Sequence, residues 1–218
     1  NRFSVKIKNK ERAFYKKSEI DLKKRFKDDL GKKNTFYEIH FQSSKNLTEK
    51  LSLFSYPEFG LYVFKSPFLY LSVRSWKENK NIQSGHMHFD QLSIELSFDG
   101  EDLISDPGSY IYTPFPEKRR EYRSADAHFS PFNIKTIESE QEFNLFNQIK
   151  LPPVNTPTIN KNSYFQTYFY QGDRKFFSFD IEDYKITFRS SLIEGEGLSQ
   201  NRKICLSRGY GTILRNTI

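Results

Sequence analysis

Residues 91–104 read Gln91-Leu92-Ser93-Ile94-Glu95-Leu96-Ser97-Phe98-Asp99-Gly100-Glu101-Asp102-Leu103-Ile104. Leu92, Ile94, Leu96 and Phe98 take alternate positions, with Ser93, Glu95 and Ser97 between them. A period of two is the mark of a half-buried strand, because successive side chains leave opposite faces. Asp99-Gly100 then signals a two-residue hairpin turn, whose central positions need positive φ. Leu103 and Ile104 begin the return strand, and Asp106-Pro107-Gly108 ends it. The stretch predicts an antiparallel hairpin with one face turned to a core.

The same texture continues on both sides. Strands are expected at Phe36–Phe41, Leu61–Phe64, Phe68–Val73, Tyr164–Tyr170, Phe176–Ile181, Lys185–Ser191 and Lys203–Leu206. Turn signals separate them, among them Ser66-Pro67, Gln171-Gly172-Asp173 and Glu182-Asp183. The chain holds 22 Phe and 13 Tyr, residues that favour pleated surfaces. Evenly spaced short strands predict an all-β fold, an antiparallel two-layer β-sandwich, over residues 36–218. At 218 residues the chain can bury one substantial core. Residues 1–35 are strongly charged. Ile20, Leu22, Phe26 and Leu30 fall near helical spacing within Lys16–Lys33, so a short surface helix in a linker is expected there, closed by Gly31.

The formal net charge is +7. A basic surface suits an acidic polysaccharide, a nucleic acid or an anionic lipid, and equally serves as ordinary solubilising charge. A nucleic-acid arm in Lys16–Lys33 is disfavoured, because the run also carries acids and offers only Phe26 for stacking. The single cysteine, Cys205, excludes an internal disulfide framework. No run approaches the ~18 apolar residues of a membrane span. The chain opens at Asn1, and the expectation is a fragment of a longer protein.

Chemistry concentrates in His86-Met87-His88-Phe89-Asp90, which holds two of the four histidines; His128 follows and Asp106 lies between. If the strand through Leu92 extended back, both imidazoles would share its covered face. Two histidines and a carboxylate are a donor set for zinc that leaves a coordination position open. The alternative is three separate histidines, each satisfied by hydrogen bonds. Spacing resists the first picture. A tight turn pairs Phe98 with Glu101 and therefore Ser93 with Asp106, which puts Asp106 roughly 16 Å from His88 and on the other face. Coordination needs a bulge, or a bend between His88 and Leu92. Arg119, Arg120 and Arg123 suit sugar carboxylates or sulfates, or form a solvated run with Glu117 and Glu121. Tyr122 is a candidate acid or sugar-stacking group, whereas Tyr110 and Tyr112 read as packing residues. Trp76 is either a stacking platform or a sheet-edge anchor.

The segment Ser84–Asn133 resembles the C-terminal domain of the heparinase II/III-like polysaccharide lyases. Gly85–Ser93 matches a GHxHxDQLS-like block, Asp106–Tyr110 a D-P-G-x-Y element, and Arg119–His128 an Arg-rich run ending in an A-H-N-like step. Phe59–Ser75 is similar to the strand pair before the motif. The resemblance implies β-elimination in a uronic-acid polysaccharide, such as a glycosaminoglycan or alginate. It implies a metal, usually zinc, on His88, Asp106 and His128, with His86 as the catalytic or substrate-facing histidine. It also implies a helical toroid domain elsewhere in the same protein, which supplies further catalytic groups, and a periplasmic or secreted location. No nucleic acid and no membrane span are expected. Phe129 stands where the family carries Asn, which puts one supporting contact in question. A non-catalytic, metal-stabilised carbohydrate-binding or capsule-assembly module on the same scaffold is the alternative. A cupin-like oxygenase, echoed by Gly85-His86-x-His88, fails because Glu95 comes too late and no second motif follows.

Overall fold

The computed structural model describes residues 3–6, 12–20, 34–77, 86–131, 151–171 and 173–191. Among the described residues, twelve strands form two antiparallel sheets. Along the chain they are β1 (Phe3–Lys6), β2 (Arg12–Ile20), β3 (Asn34–Gln42), β4 (Ser52–Tyr56), β5 (Leu61–Lys65) and β6 (Leu69–Arg74). After them come β7 (Ile94–Phe98), β8 (Glu101–Ile104), β9 (Thr158–Asn160), β10 (Tyr164–Gln171), β11 (Asp173–Glu182) and β12 (Lys185–Ser191). A single α-helix among the described residues, α1 (Pro116–Arg123), interrupts the run between β8 and β9. One sheet has the order β1-β2-β3-β12-β11-β10-β9 and the other β4-β5-β6-β7-β8.

The expected sandwich is therefore present, and its core explains the aromatic composition. Phe165, Phe177, Phe179 and Phe188 from the larger sheet meet Tyr62, Phe64, Leu71 and Leu96 from the smaller. Phe64 stands edge-on to Phe179 at 5.1 Å, and Tyr62 edge-on to Phe165 at 5.6 Å. Edge-to-face contact is the favoured geometry of ring pairs and joins the two layers. Trp76 belongs to this core rather than to a sugar platform, being 6% exposed. Its backbone lies against Gly60, where an added Cβ would come within 2.3 Å of the Trp76 Cα. Gly60 also has φ +62°, so no other residue fits there without strain.

The helix expected over Lys16–Lys33 does not form at its start. Lys16–Ile20 is the second half of β2, which pairs with β3 from Ala13↔Phe41 to Ile20↔Asn34. A short helix with scattered apolar residues is marginal alone. The open edge of β3 gives the same residues a full ladder of backbone partners. Strand pairing thus crosses the boundary expected at residue 35, while residues 21–33 lie outside the described part of the chain. So do the strand expected at Lys203–Leu206 and Cys205.

The hairpin at Asp99-Gly100 forms as expected, with φ of 48° and 83° at the two turn residues. Phe98 pairs with Glu101 and Ser97 with Asp102, but Leu96 pairs with Ile104. Leu103 is thus an extra residue, a β-bulge. One inserted residue reverses the parity of everything that follows it.

Candidate functional site

That reversal decides where Asp106 points. Without the bulge its side chain would leave the sheet on the face opposite Ile94. With it, Ile104 is buried alongside Leu96, and Asp106, two residues on, keeps that parity. The second condition is met as well. His86–Ser93 is not strand, which corrects the expectation that His-x-His shares a strand face. The chain turns instead, with Leu92 at φ 57° and the Ser93 N–H donating to Asp90 O at 3.0 Å. The bend swings His88 off the line of β7 and toward the end of the hairpin.

Helix α1 holds this loop in place. The Arg123 Nε donates to Met87 O at 3.0 Å, and the Phe89 N–H donates to Arg123 O at 2.9 Å. Pro116 opens the helix at its first turn, where a missing N–H costs nothing. The buried face is Arg119, Tyr122 and Arg123, so basic groups turn inward while Glu117, Lys118 and Arg120 face solvent. Such a helix has no apolar stripe, so the periodicity of its sequence does not announce it. A 3-10 turn, Ala125–Ala127, then delivers His128.

His88, Asp106 and His128 come together. The His88 and His128 rings lie 5.4 Å apart, and His128 Nδ1 is 2.6 Å from Asp106 Oδ2. Asp106 Oδ1 accepts the Gly108 N–H at 2.8 Å. Burial pushes the Asp106 carboxyl up, but the His128 hydrogen bond and charge outweigh it and leave the group below its ordinary range. His88 Nε2 faces Ser109 Oγ and Arg119 Nη1, each at 3.3 Å. Burial, followed by the neighbouring His128, lowers the His88 imidazole to about 3, so it is neutral at ordinary pH. His128 is 1% exposed, and its Nε2 is buried without a hydrogen-bond partner.

Among the described residues no three His, Cys, Asp or Glu side chains stand arranged as a metal cage. The donor chemistry nevertheless fits one. His128 Nε2 is buried with no hydrogen-bond partner, and the neutral His88 imidazole and the Asp106 carboxylate lie in the same cluster, the nitrogen and oxygen donors that zinc takes.

The remaining candidates divide. His86 is exposed, with Tyr112 edge-on at 5.6 Å. Tyr112 also lies over the Arg119 guanidinium at 4.2 Å, so this tyrosine borders the site. Tyr122 does not; it is 2% exposed and packed on Tyr110 at 5.2 Å. The inward turn of α1 buries Tyr122, while Tyr112, expected to be a packing residue, contacts His86 and Arg119. Arg119 and Arg123 are buried, whereas Arg120 sits at the surface and is ion-paired with Glu117. Burial lowers both buried guanidiniums, Arg123 to about 10, and both stay charged at neutral pH.

Gln91 was not singled out in the sequence. Its side chain is 1% exposed and works as a piece of backbone. Oε1 accepts the Trp76 N–H at 2.9 Å, while Nε2 donates to Trp76 O at 2.8 Å and Pro152 O at 3.1 Å. It ties the loop after His88 to the end of β6.

Residues 48–129 match the family model described as heparinase II/III-like, C-terminal. The matched span runs from Thr48, ahead of β4, to Phe129, one residue past His128, and contains every candidate side chain above. No curated protein and no solved structure matches the chain. The heparinase II/III-like segment thus covers the five-stranded sheet, the bulged hairpin and α1, while the seven-stranded sheet lies outside the match. At Phe129, where the family carries Asn, the backbone C=O accepts the Ile94 N–H at 3.1 Å, a contact that does not depend on the side chain.

Proposed function

We propose that this chain is the sandwich domain of a polysaccharide lyase that cleaves a uronate-containing polysaccharide, sulfated or not, by β-elimination. The observation that carries the reading is a coincidence of place. The segment matching the heparinase II/III-like domain is the one that gathers His86, His88, Asp106, Arg119 and His128 at one end of the smaller sheet.

The reaction removes the proton on the carbon beside the uronate carboxylate and expels the oxygen of the glycosidic bond. It needs a base, an acid for the departing oxygen and a positive group beside the carboxylate. His86 is the exposed histidine, and an imidazole exchanges protons near neutral pH. Tyr112, beside it, is the tyrosine placed to share that proton traffic, and it takes the role expected of Tyr122. Arg119 supplies positive charge within the same cluster. His88, Asp106 and His128 would hold zinc, which would fix the loop and hairpin and add positive charge near the carboxylate. Elimination consumes no water, so no residue is assigned to activate one. The domain belongs with a helical toroid domain of the same protein that contributes further groups, and the reading places the whole in the periplasm or outside the cell.

The test is ultraviolet absorbance of unsaturated uronate ends, using the longest natural form of the protein and a panel of uronate polysaccharides. Wild type is expected to generate the signal and His86→Ala to lose at least about 100-fold of it, the usual contribution of acid–base catalysis. A folded wild type that binds a polysaccharide without producing the signal would instead be a binding or capsule-assembly module.

A further inference from the structure

Among the described residues, Arg119 is a buried arginine with no acidic partner. It is 0% exposed. Its Nη1 meets an imidazole, His88, rather than an acid. Its Nε and Nη2 are both buried and have no hydrogen-bond partner. These two atoms form one side of the guanidinium, and their N–H bonds point the same way. That side is the fork which accepts the two oxygens of a carboxylate. A buried, unpaired cation is costly, and an anion on this side of the guanidinium would offset that cost. The Tyr112 ring fixes the plane of the guanidinium from above, as aromatic faces do for arginine. The other two arginines have different work. Arg123 holds Met87 O, and Arg120 is ion-paired with Glu117 at the surface.

We propose that the Nε–Nη2 side of Arg119, beneath Tyr112, is the receptor for a single sugar carboxylate. The assignment to a sugar rests on the lyase reading, whereas the assignment to a carboxylate rests on the unpaired fork itself.

Binding of D-glucuronate, its methyl ester and inorganic sulfate to the whole chain, followed by calorimetry and thermal shift, tests this. Wild type is expected to bind glucuronate saturably at one site, and the neutral ester far more weakly. Arg119→Gln should weaken glucuronate about 10- to 100-fold, the range for losing bonds to a charged group. Arg119→Lys keeps the charge but not the fork and should also lose about tenfold. Lys118→Gln removes a charge from the outer face of α1 and should change binding less than about twofold. Equal binding of ester and glucuronate, no binding of any probe, binding of sulfate alone, or a folded Arg119→Gln that binds normally each overturns the proposal. If Arg119→Gln does not fold, the ester comparison on wild type decides. Product formation by a protein whose glucuronate binding ignores Arg119 removes this proposal and leaves the lyase reading. Arg119-dependent binding with no product from any polyuronate does the reverse.

Discussion

Gln91 carries three hydrogen bonds to backbone groups that have no strand neighbour to satisfy them. Each buried group left unpaired costs about 1–3 kcal/mol. Gln91→Ala is therefore expected to destabilise the protein by at least about 3 kcal/mol in chemical denaturation, and a loss below about 1 kcal/mol would contradict the role. Side-chain chemistry was legible residue by residue: His86, His88, Asp106 and His128 stand out because few residue types bind metals or move protons. Direction was not. Tyr112 and Tyr122 have the same chemistry, and only the inward turn of α1 tells which one borders the site. A glutamine that imitates a strand is equally invisible until the strand it caps is in place.

At the scale of elements, the hairpin shows how one residue sets a site. Alternation and Asp-Gly revealed β7, β8 and their turn, and the arithmetic of that register showed that something irregular must lie between His88 and Asp106. The irregularities are Leu103 in the bulge and the bend at Leu92. Neither residue type marks such a position. Insertion of one alanine after Ile104 keeps the bulge and the Leu96–Ile104 pair but moves Asp106 one position along, to the opposite face. It is expected to leave the β-sheet circular dichroism intact and to abolish zinc retention after reconstitution, by elemental analysis, where wild type keeps about one zinc per chain. An insertion variant that keeps as much zinc as wild type would contradict the role of this register. Helix α1 and strand β2 escape sequence periodicity for opposite reasons. Helix α1 buries arginines, so it lacks the apolar stripe that announces a helix. Strand β2 carries apolar residues near helical spacing, yet the edge of β3 decides its conformation.

At the scale of the whole molecule, the two sheets divide the labour. The seven-stranded sheet supplies half of the aromatic core. The five-stranded sheet ends in the bulged hairpin, and its flanking loops and α1 carry His86, His88, His128, Arg119 and Arg123. The sandwich was legible because strand periodicity repeats along most of the chain and few compact folds accept so many short antiparallel strands. The function is a claim about bond cleavage, and elimination differs from hydrolysis in its atoms: no water enters the products. Digestion of uronate polysaccharides in water enriched in heavy oxygen, followed by mass spectrometry of the fragments, reads this difference. The account predicts fragments with unsaturated ends, masses that sum to the parent chain and no heavy oxygen incorporated at the cut. Saturated fragments carrying one heavy oxygen per cleavage would contradict it.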